Sequence, residues 1–291
     1  MRLSTILKDG KEIAVIRNEG GQVTSLTDVN DFFEQSWTTT MFELIQSNQL
    51  SHFEKWWNEL ADENKERIPS IEDPDYRPLY RHPRKIWGIG LNYVDHASDL
   101  DEAAPKGEPA SFMKPDTAII GHGDKIKVPQ QSERTTGEAE LGVIIGRECK
   151  DVEAADAGNV VAGYTTIIDM TAEDILRKNP RYLTRAKSFD TFFSFGPEFI
   201  TPDEIGDLLE VNVTTKINGK VHRTNKVRNM TFQPYELVSF HSKVMTLLPG
   251  DIISTGTPGA VVIRDGDKIE CEVDRMMVLE NSVVDLKNNE E

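Results

Sequence analysis

Residues 137–146 read Gly-Glu-Ala-Glu-Leu-Gly-Val-Ile-Ile-Gly, and residues 160–169 read Val-Val-Ala-Gly-Tyr-Thr-Thr-Ile-Ile-Asp. Their apolar, β-branched interiors suit strands. Successive strand residues face opposite sides, so Glu138 and Glu140 point to the same side. Like charges so placed repel unless something positive sits between them or the strand end is simply solvated. The second stretch is an apolar strand that ends on a carboxylate, Asp169. Three carboxylates converging from two strands make an oxygen-only site, which suits Mg²⁺, Mn²⁺ or Ca²⁺ and not zinc.

Around this pair the chain from Pro83 onward is a series of short β-rich runs separated by Gly, Pro and Asp: Lys85–Gly90, Leu141–Gly146, Val160–Asp169, Leu209–Ile217 and Ile269–Val273. Two helices interrupt them. One is expected over Met170–Lys178, with Thr171 as its cap and Pro180 beyond it. The other starts near Pro234 and carries Leu237, Phe240, Val244 and Leu248 toward Pro249-Gly250. There is no βαβ rhythm, so the expected class is a β-rich α+β fold. Upstream, Ile13 and Val15 alternate before a Gly20-Gly21 turn and then Val23 and Leu26, which reads as short antiparallel strands. Phe53, Trp56, Trp57 and Leu60 follow helical spacing, and a tryptophan pair so placed is packing. Pro69, Pro74, Pro78 and Pro83 crowd one segment where neither helix nor central strand can run. A linker near 69–83 would then separate a small α+β N-terminal domain, residues 1–80, from a larger domain, residues 81–291.

Charge and cysteine usage exclude several classes. The 291 residues hold 33 Lys plus Arg against 49 Asp plus Glu, a formal charge of −16, which argues against a nucleic-acid binder. No stretch approaches the roughly 18 apolar residues of a membrane span. The opening MRLSTILKDGKEIAVI reaches Lys8 and Asp9 too early for a signal peptide, so a cytoplasmic location is expected. Cys149 and Cys271 form no CxxC pair, which removes a disulfide framework and a zinc-thiolate cluster. GxSxG, P-loop and HExxH motifs are missing, and Gly88-Ile-Gly90 lacks the third glycine of a dinucleotide fingerprint.

Three further fragments offer chemistry. In Gly90-Leu-Asn-Tyr-Val-Asp-His96-Ala-Ser-Asp99 a carboxylate follows a histidine by one helical turn, so Asp99 can orient His96 as a general base; a surface histidine is the plain alternative. The other five histidines lack such company and read as structural. In Thr184-Arg185-Ala186-Lys187-Ser188, Arg185 and Lys187 share a face if the segment is extended, a cradle for an anion or an ordinary basic strand. The run Pro249 to Gly259 contains Thr255-Gly256-Thr257, whose backbone and hydroxyl donors suit a carboxylate or oxyanion if the turn holds a ligand at all.

Taken together, GLNYVDHASD, FMKPDTAIIG, GEAELGVIIG, VAGYTTIIDM, RAKSFDTFFSFGP and LLPGDIISTGTPG resemble the fumarylacetoacetate hydrolase family from about Lys85 to Val284. The resemblance implies a β-roll or sandwich for the catalytic domain, a homodimer, and Mg²⁺ or Mn²⁺ chemistry on 2-oxo and dicarbonyl acids, with Ca²⁺ able to substitute in a crystal. It places the metal ligands on Glu138, Glu140 and Asp169, a lid histidine on His96, a lysine on Lys187 and a carboxylate-touching threonine on Thr257. Arg185 and Gly256 are the further substrate-binding candidates. Departures are Asp99 where many relatives carry Glu, Glu173 and Leu176 where they carry Arg and Gln, and a shortened segment after Thr257. Arg177, Arg181 or Arg185 is the expected substitute for the missing cation. The implied reaction is hydrolysis of a C–C bond in a β-diketo or acylpyruvate-type acid. Isomerisation or decarboxylation of a 2-oxo or hydroxymuconate-type dicarboxylate is the alternative, and a non-catalytic metal-bound protein the third reading. Residues 94–108 are expected to act as a lid. The aromatic run Phe189, Phe192, Phe193 and Phe195 is expected to lie partly at the dimer contact.

Overall fold

The computed structural model describes residues 1–94 and 107–288. Its strands begin with β1 (Arg2–Lys8), β2 (Lys11–Arg17), β3 (Val23–Ser25), β4 (Tyr76–Arg77), β5 (Ile86–Gly90), β6 (Ala110–Lys114), β7 (Ile119–Ile120) and β8 (Lys125–Val128). They continue with β9 (Thr135–Ile145), β10 (Val161–Ala172), β11 (Phe193–Ile200), β12 (Asn212–Ile217), β13 (Lys220–Lys226), β14 (Ile252–Ser254), β15 (Val261–Val262), β16 (Lys268–Val273) and β17 (Leu279–Asp285). Twelve of them form one open sheet with the order β3-β2-β1-β11-β10-β9-β14-β5-β6, with β4, β7 and β15 on its flanks. The other five form a second open sheet, β13-β12-β16-β17-β8. The fold is β-rich α+β, as the spacing of strands and helices predicts.

β9 and β10 are the centre of the large sheet. Every residue of both is buried, which explains their nearly continuous apolar sequence. Ala139, Leu141, Val143 and Ile145 pack into a core shared with Ile269 and Cys271 of the second sheet. Ile144 and Ile167 enter another core, with Leu3, Ile16, Phe53 and Phe199. The two sheets meet so closely at Gly137 that an added Cβ would lie 2.2 Å from Ile269 Cδ1.

The first residues are continuous with this sheet. β1 pairs antiparallel with β11, setting Arg2 opposite Ile200 and Ser4 opposite Glu198. Glu198, 1% exposed, takes hydrogen bonds from Arg2 Nη1 at 3.1 Å, Arg17 Nε at 3.0 Å and the Met277 amide at 3.1 Å. One buried carboxylate thus ties β1, β2 and β11 to the turn before β17. The helix Leu50–Glu59 buries Phe53 and Trp57 against the same core, as its spacing requires. The proline-dense segment near 69–83 joins regions that share that core, since Leu79 and Tyr80 lie in it.

Three sequence expectations change. The helix after Asp169 spans Glu173–Lys178 and not Met170–Lys178, because Met170–Ala172 stay in β10, paired with Thr135–Gly137. The helix Pro234–Val244 stops before Leu248 and is opened by a capping box between Gln233 and Glu236. Phe192, Phe193 and Phe195 are fully buried and Phe189 packs against the core, so the aromatic run offered as a dimer contact is interior. Its burial removes that argument for the homodimer. No helix among the described residues is long and apolar enough to cross a membrane.

Phe53→Ala should lower stability by about 3–5 kcal/mol, the usual cost of emptying an aromatic core site. Because Phe53 packs in a core shared with β10 and β11, chemical denaturation should show one shifted transition. Two transitions, with only the first displaced, would mean that the N-terminal segment unfolds separately.

Candidate metal centre

Antiparallel pairing places Asp169 directly opposite Glu138, and Ile167 opposite Glu140. All three carboxylates therefore emerge on one side, with ligand oxygens within 4.8 Å of one another and all three residues buried. This is the convergence that the two strands' alternation predicts.

Each carboxylate is fixed by neighbours. Glu138 Oε1 accepts from Thr171 Oγ1 at 2.5 Å and Thr136 Oγ1 at 3.2 Å. Glu140 Oε2 accepts from Ser254 Oγ at 2.5 Å and the Gly256 amide at 2.8 Å. Asp169 is held by two lysines: Lys114 Nζ donates to Oδ1, and Lys187 Nζ donates to Oδ2 at 2.7 Å. Lys187 Nζ also reaches Glu138 Oε2 at 3.0 Å. It lies 4.8 Å from the centre of the Phe112 ring, a cation–π contact that offsets some of its desolvation.

Three negative and two positive groups share this buried space. Burial first, then repulsion from Asp169 and Glu138, pushes the Glu140 carboxyl up to about 8, against the pull of Lys187 and Ser254. Burial opposes the Lys187 ammonium, but Asp169, Glu138 and Glu140 outweigh it and hold it above the ordinary lysine value. Lys114 moves the other way, because complete burial and its lysine neighbour dominate the attraction of Asp169. The donor set fits a hard divalent cation: every ligand atom is a carboxylate oxygen, and hydroxyl, amide or ammonium donors orient each carboxylate.

The remaining sequence candidates fall as follows. His96 and Asp99 lie outside the described residues, as does most of the expected lid. Gly256 has φ +96°, and a Cβ there would sit 2.7 Å from Asn92 Cβ, so glycine is required at this turn. Its amide is directed at Glu140. Thr257 is buried and its Oγ1 accepts from the Gly259 amide at 3.2 Å. The extended cradle is corrected: Leu183–Lys187 is a helix, where residues two apart face away from each other, so Lys187 is buried while Arg185 is exposed. The Arg185 guanidinium lies 5.8 Å from the Tyr182 ring centre. Glu173, at the place of the missing arginine, is ion-paired with Arg134 and with Arg177 Nη2 at 2.5 Å, so Arg177 is committed there. Arg181 is exposed.

Sequence reasoning missed Lys114, Thr171 and Ser254. Lys114 stood inside FMKPDTAIIG, and a lone lysine between Met113 and a proline gave no sign of burial. Thr171 had been assigned to a helix cap.

The geometry can be set beside known proteins. Residues 85–284 match the model of the fumarylacetoacetate (FAA) hydrolase C-terminal domain. The chain belongs to the fumarylacetoacetate hydrolase family. It is 34% identical over 226 residues to a mitochondrial oxaloacetate tautomerase of Homo sapiens, covering 75% of this chain and 71% of that protein. In structure it resembles the 5-carboxymethyl-2-hydroxymuconate delta-isomerase of Mycobacterium smegmatis, with TM-score 0.76 and 31% identity over 98% of this chain and 99% of that one. It also resembles the fumarylacetoacetate hydrolase of Exiguobacterium antarcticum, with TM-score 0.83 and 28% identity over 98% and 99%. Fumarylacetoacetate hydrolase family members are metal-dependent enzymes that include hydrolases, isomerases and tautomerases, and a buried acidic triad able to hold a divalent cation is present here.

Cation binding should be linked to the Glu140 proton. With that carboxyl at about 8, a proton must leave before the cation binds at lower pH. Mg²⁺ affinity should therefore rise between pH 6 and 8, by up to about tenfold per unit for one proton released, and level off above that. Calorimetric titration in buffers of different ionisation enthalpy counts the protons. Affinity independent of pH across this range would contradict the electrostatic account.

Proposed function

We propose that the protein is a divalent-metal-dependent isomerase of 2-oxo acids that interconverts enol and keto forms. The observation that carries metal-assisted chemistry on an oxyanion, common to this reading and to hydrolysis, is Lys187 Nζ, which lies 3.0 Å from Glu138 Oε2 and 2.7 Å from Asp169 Oδ2, a fixed positive charge at the edge of the triad. A divalent cation held by Glu138, Glu140 and Asp169 would supply Lewis-acid polarisation of a substrate carbonyl. Taking a proton from the carbon beside that carbonyl leaves negative charge on its oxygen. The Lys187 ammonium, held beside the triad, would stabilise such charge, and its buried setting would make the stabilisation worth more than in water. In this proposal His96, oriented by Asp99, carries the proton, and Thr257 contacts the substrate carboxylate. Similarity to a tautomerase and to an isomerase at above 30% identity supports reprotonation as the outcome.

C–C bond hydrolysis is the second reading, supported by the likeness to the Exiguobacterium hydrolase. It uses the same residues but adds attack by water, for which His96 would be the base. The two diverge in the assay. With Mg²⁺, the protein should speed conversion of enol to keto oxaloacetate and leave an acylpyruvate uncleaved. His96→Asn should lower that rate by roughly 10²–10⁴ while leaving Mg²⁺ affinity nearly unchanged, since the ligands are carboxylates. Glu140→Gln should weaken Mg²⁺ binding and lose activity that excess Mg²⁺ partly restores. Acylpyruvate cleavage without enol conversion would replace the isomerase by the hydrolase, and inactivity toward both acids with Mg²⁺ bound would favour the non-catalytic reading.

A further inference from the structure

β5 and β14 run parallel and adjacent, with Gly88 opposite Ser254, so their carboxyl ends leave the sheet side by side. The end of β14 supplies Ser254 and Gly256, both of which donate to Glu140. Beyond the end of β5 comes Leu91, whose φ of +56° is uncommon for a leucine and persists only where its surroundings hold it. Asn92 follows, 1% exposed, with its Cβ against the turn at Gly256.

Every polar atom of the Asn92 carboxamide is used. Oδ1 accepts from the Phe232 amide at 2.9 Å, while Nδ2 donates to the Phe232 carbonyl at 2.9 Å and to the Thr255 carbonyl at 2.7 Å. One donor and two acceptors surround the group, so it has a single favourable orientation. The Asn92 carbonyl also accepts from the Thr231 amide at 2.7 Å.

The Thr255 carbonyl and the Gly256 N–H belong to the same peptide group. Its oxygen accepts from Asn92, and its N–H donates to Glu140 Oε2 at 2.8 Å. Because a peptide is planar, holding its oxygen also aims its N–H. The amide and hydroxyl of Thr255 are tied to the Leu141 carbonyl at 3.1 Å and 2.8 Å, which leaves rotation of the following peptide as the open freedom. Glycine at 256 would tolerate either orientation of that peptide. Asn92 selects the one that serves Glu140, and bonds linked in this way polarise one another.

We infer that Asn92 is a positioning residue for Glu140, locking the Thr255–Gly256 peptide with its N–H toward the carboxylate. The inference deepens the reading of Glu140 as a cation ligand, on which its metal test rests, and is independent of the isomerase reaction.

Two measurements test it. NMR of metal-free protein isotopically labelled at glycine follows the Gly256 amide, and calorimetry gives the Kd for Mg²⁺. In Asn92→Ala the Gly256 proton should move upfield and exchange faster with solvent as its bond to Glu140 loosens. The Mg²⁺ Kd should rise about tenfold, the low end of what losing an outer partner of a metal ligand costs. Asn92→Asp keeps the shape but turns an acceptor toward two carbonyls, so it should lose at least as much. If that buried carboxylate unfolds the chain, Asn92→Ala decides alone. Phe53→Ala, which weakens the other hydrophobic core, should change neither readout. An unmoved Gly256 signal or an unchanged Mg²⁺ Kd in Asn92→Ala, or equal changes in Phe53→Ala, would reduce Asn92 to a strap for Thr231 and Phe232 and overturn the inference. If the parent binds no Mg²⁺, Glu140 fails as a cation ligand, and the Gly256 signal alone decides whether Asn92 positions its carboxylate.

Discussion

Three carboxylates buried within 4.8 Å of one another repel strongly, and the fold answers with two lysines that give up their hydration to reach them. Lys114 comes from β6, four places from β10 in the order of the large sheet. In a flat sheet those strands would be roughly 19 Å apart at about 4.8 Å per step, far beyond the reach of a lysine. The contact exists because the sheet curls, bringing its edge strand round to Asp169. Lys187 arrives differently, on the short helix Leu183–Lys187 that follows β10. The charge balance of the triad and the curvature of the sheet are thus one feature seen at two scales.

The same balance suits the centre to chemistry. Without a cation, three ionised acids and two ammoniums would carry one net negative charge, which the proton retained by Glu140 cancels. A divalent ion would reverse the sign and leave a positive site in a chain whose overall formal charge is −16. An anion would then be drawn to this place against the net negative charge of the whole chain. Removing either lysine would leave buried negative charge uncompensated, so both lysines hold the structure of the triad.

Much of this was legible in the sequence because strands alternate with a period of two. Glu138 and Glu140 could be placed on one side without a structure, and Asp169 could be added as the carboxylate on which the apolar strand 160–169 ends. The register that sets Asp169 opposite Glu138 was not readable, since pairing depends on contacts between strands and not within them. Lys114 was hidden for the same reason: its partner is 55 residues away. The helix Leu183–Lys187 was read as extended because five residues are too short for hydrophobic periodicity to separate helix from strand. Thr171, expected as a helix cap, stays in β10 opposite Thr136, and its hydroxyl serves Glu138. In the N-terminal region the strands through Val15 and Val23 and the helix Leu50–Glu59 follow from alternation and helical spacing, but Leu26 opens a helix and not a strand, and β1, which carries the pairing with β11 across nearly the whole chain, gave no signal that was read.

The central claim is that one hard cation is held among Glu138, Glu140 and Asp169. Crystals soaked in Mn²⁺ and measured for anomalous scattering test it directly. The account predicts one strong peak at about 2.0–2.6 Å from an oxygen of each of the three carboxylates. A peak elsewhere, or none beside the triad at saturating Mn²⁺, would contradict it.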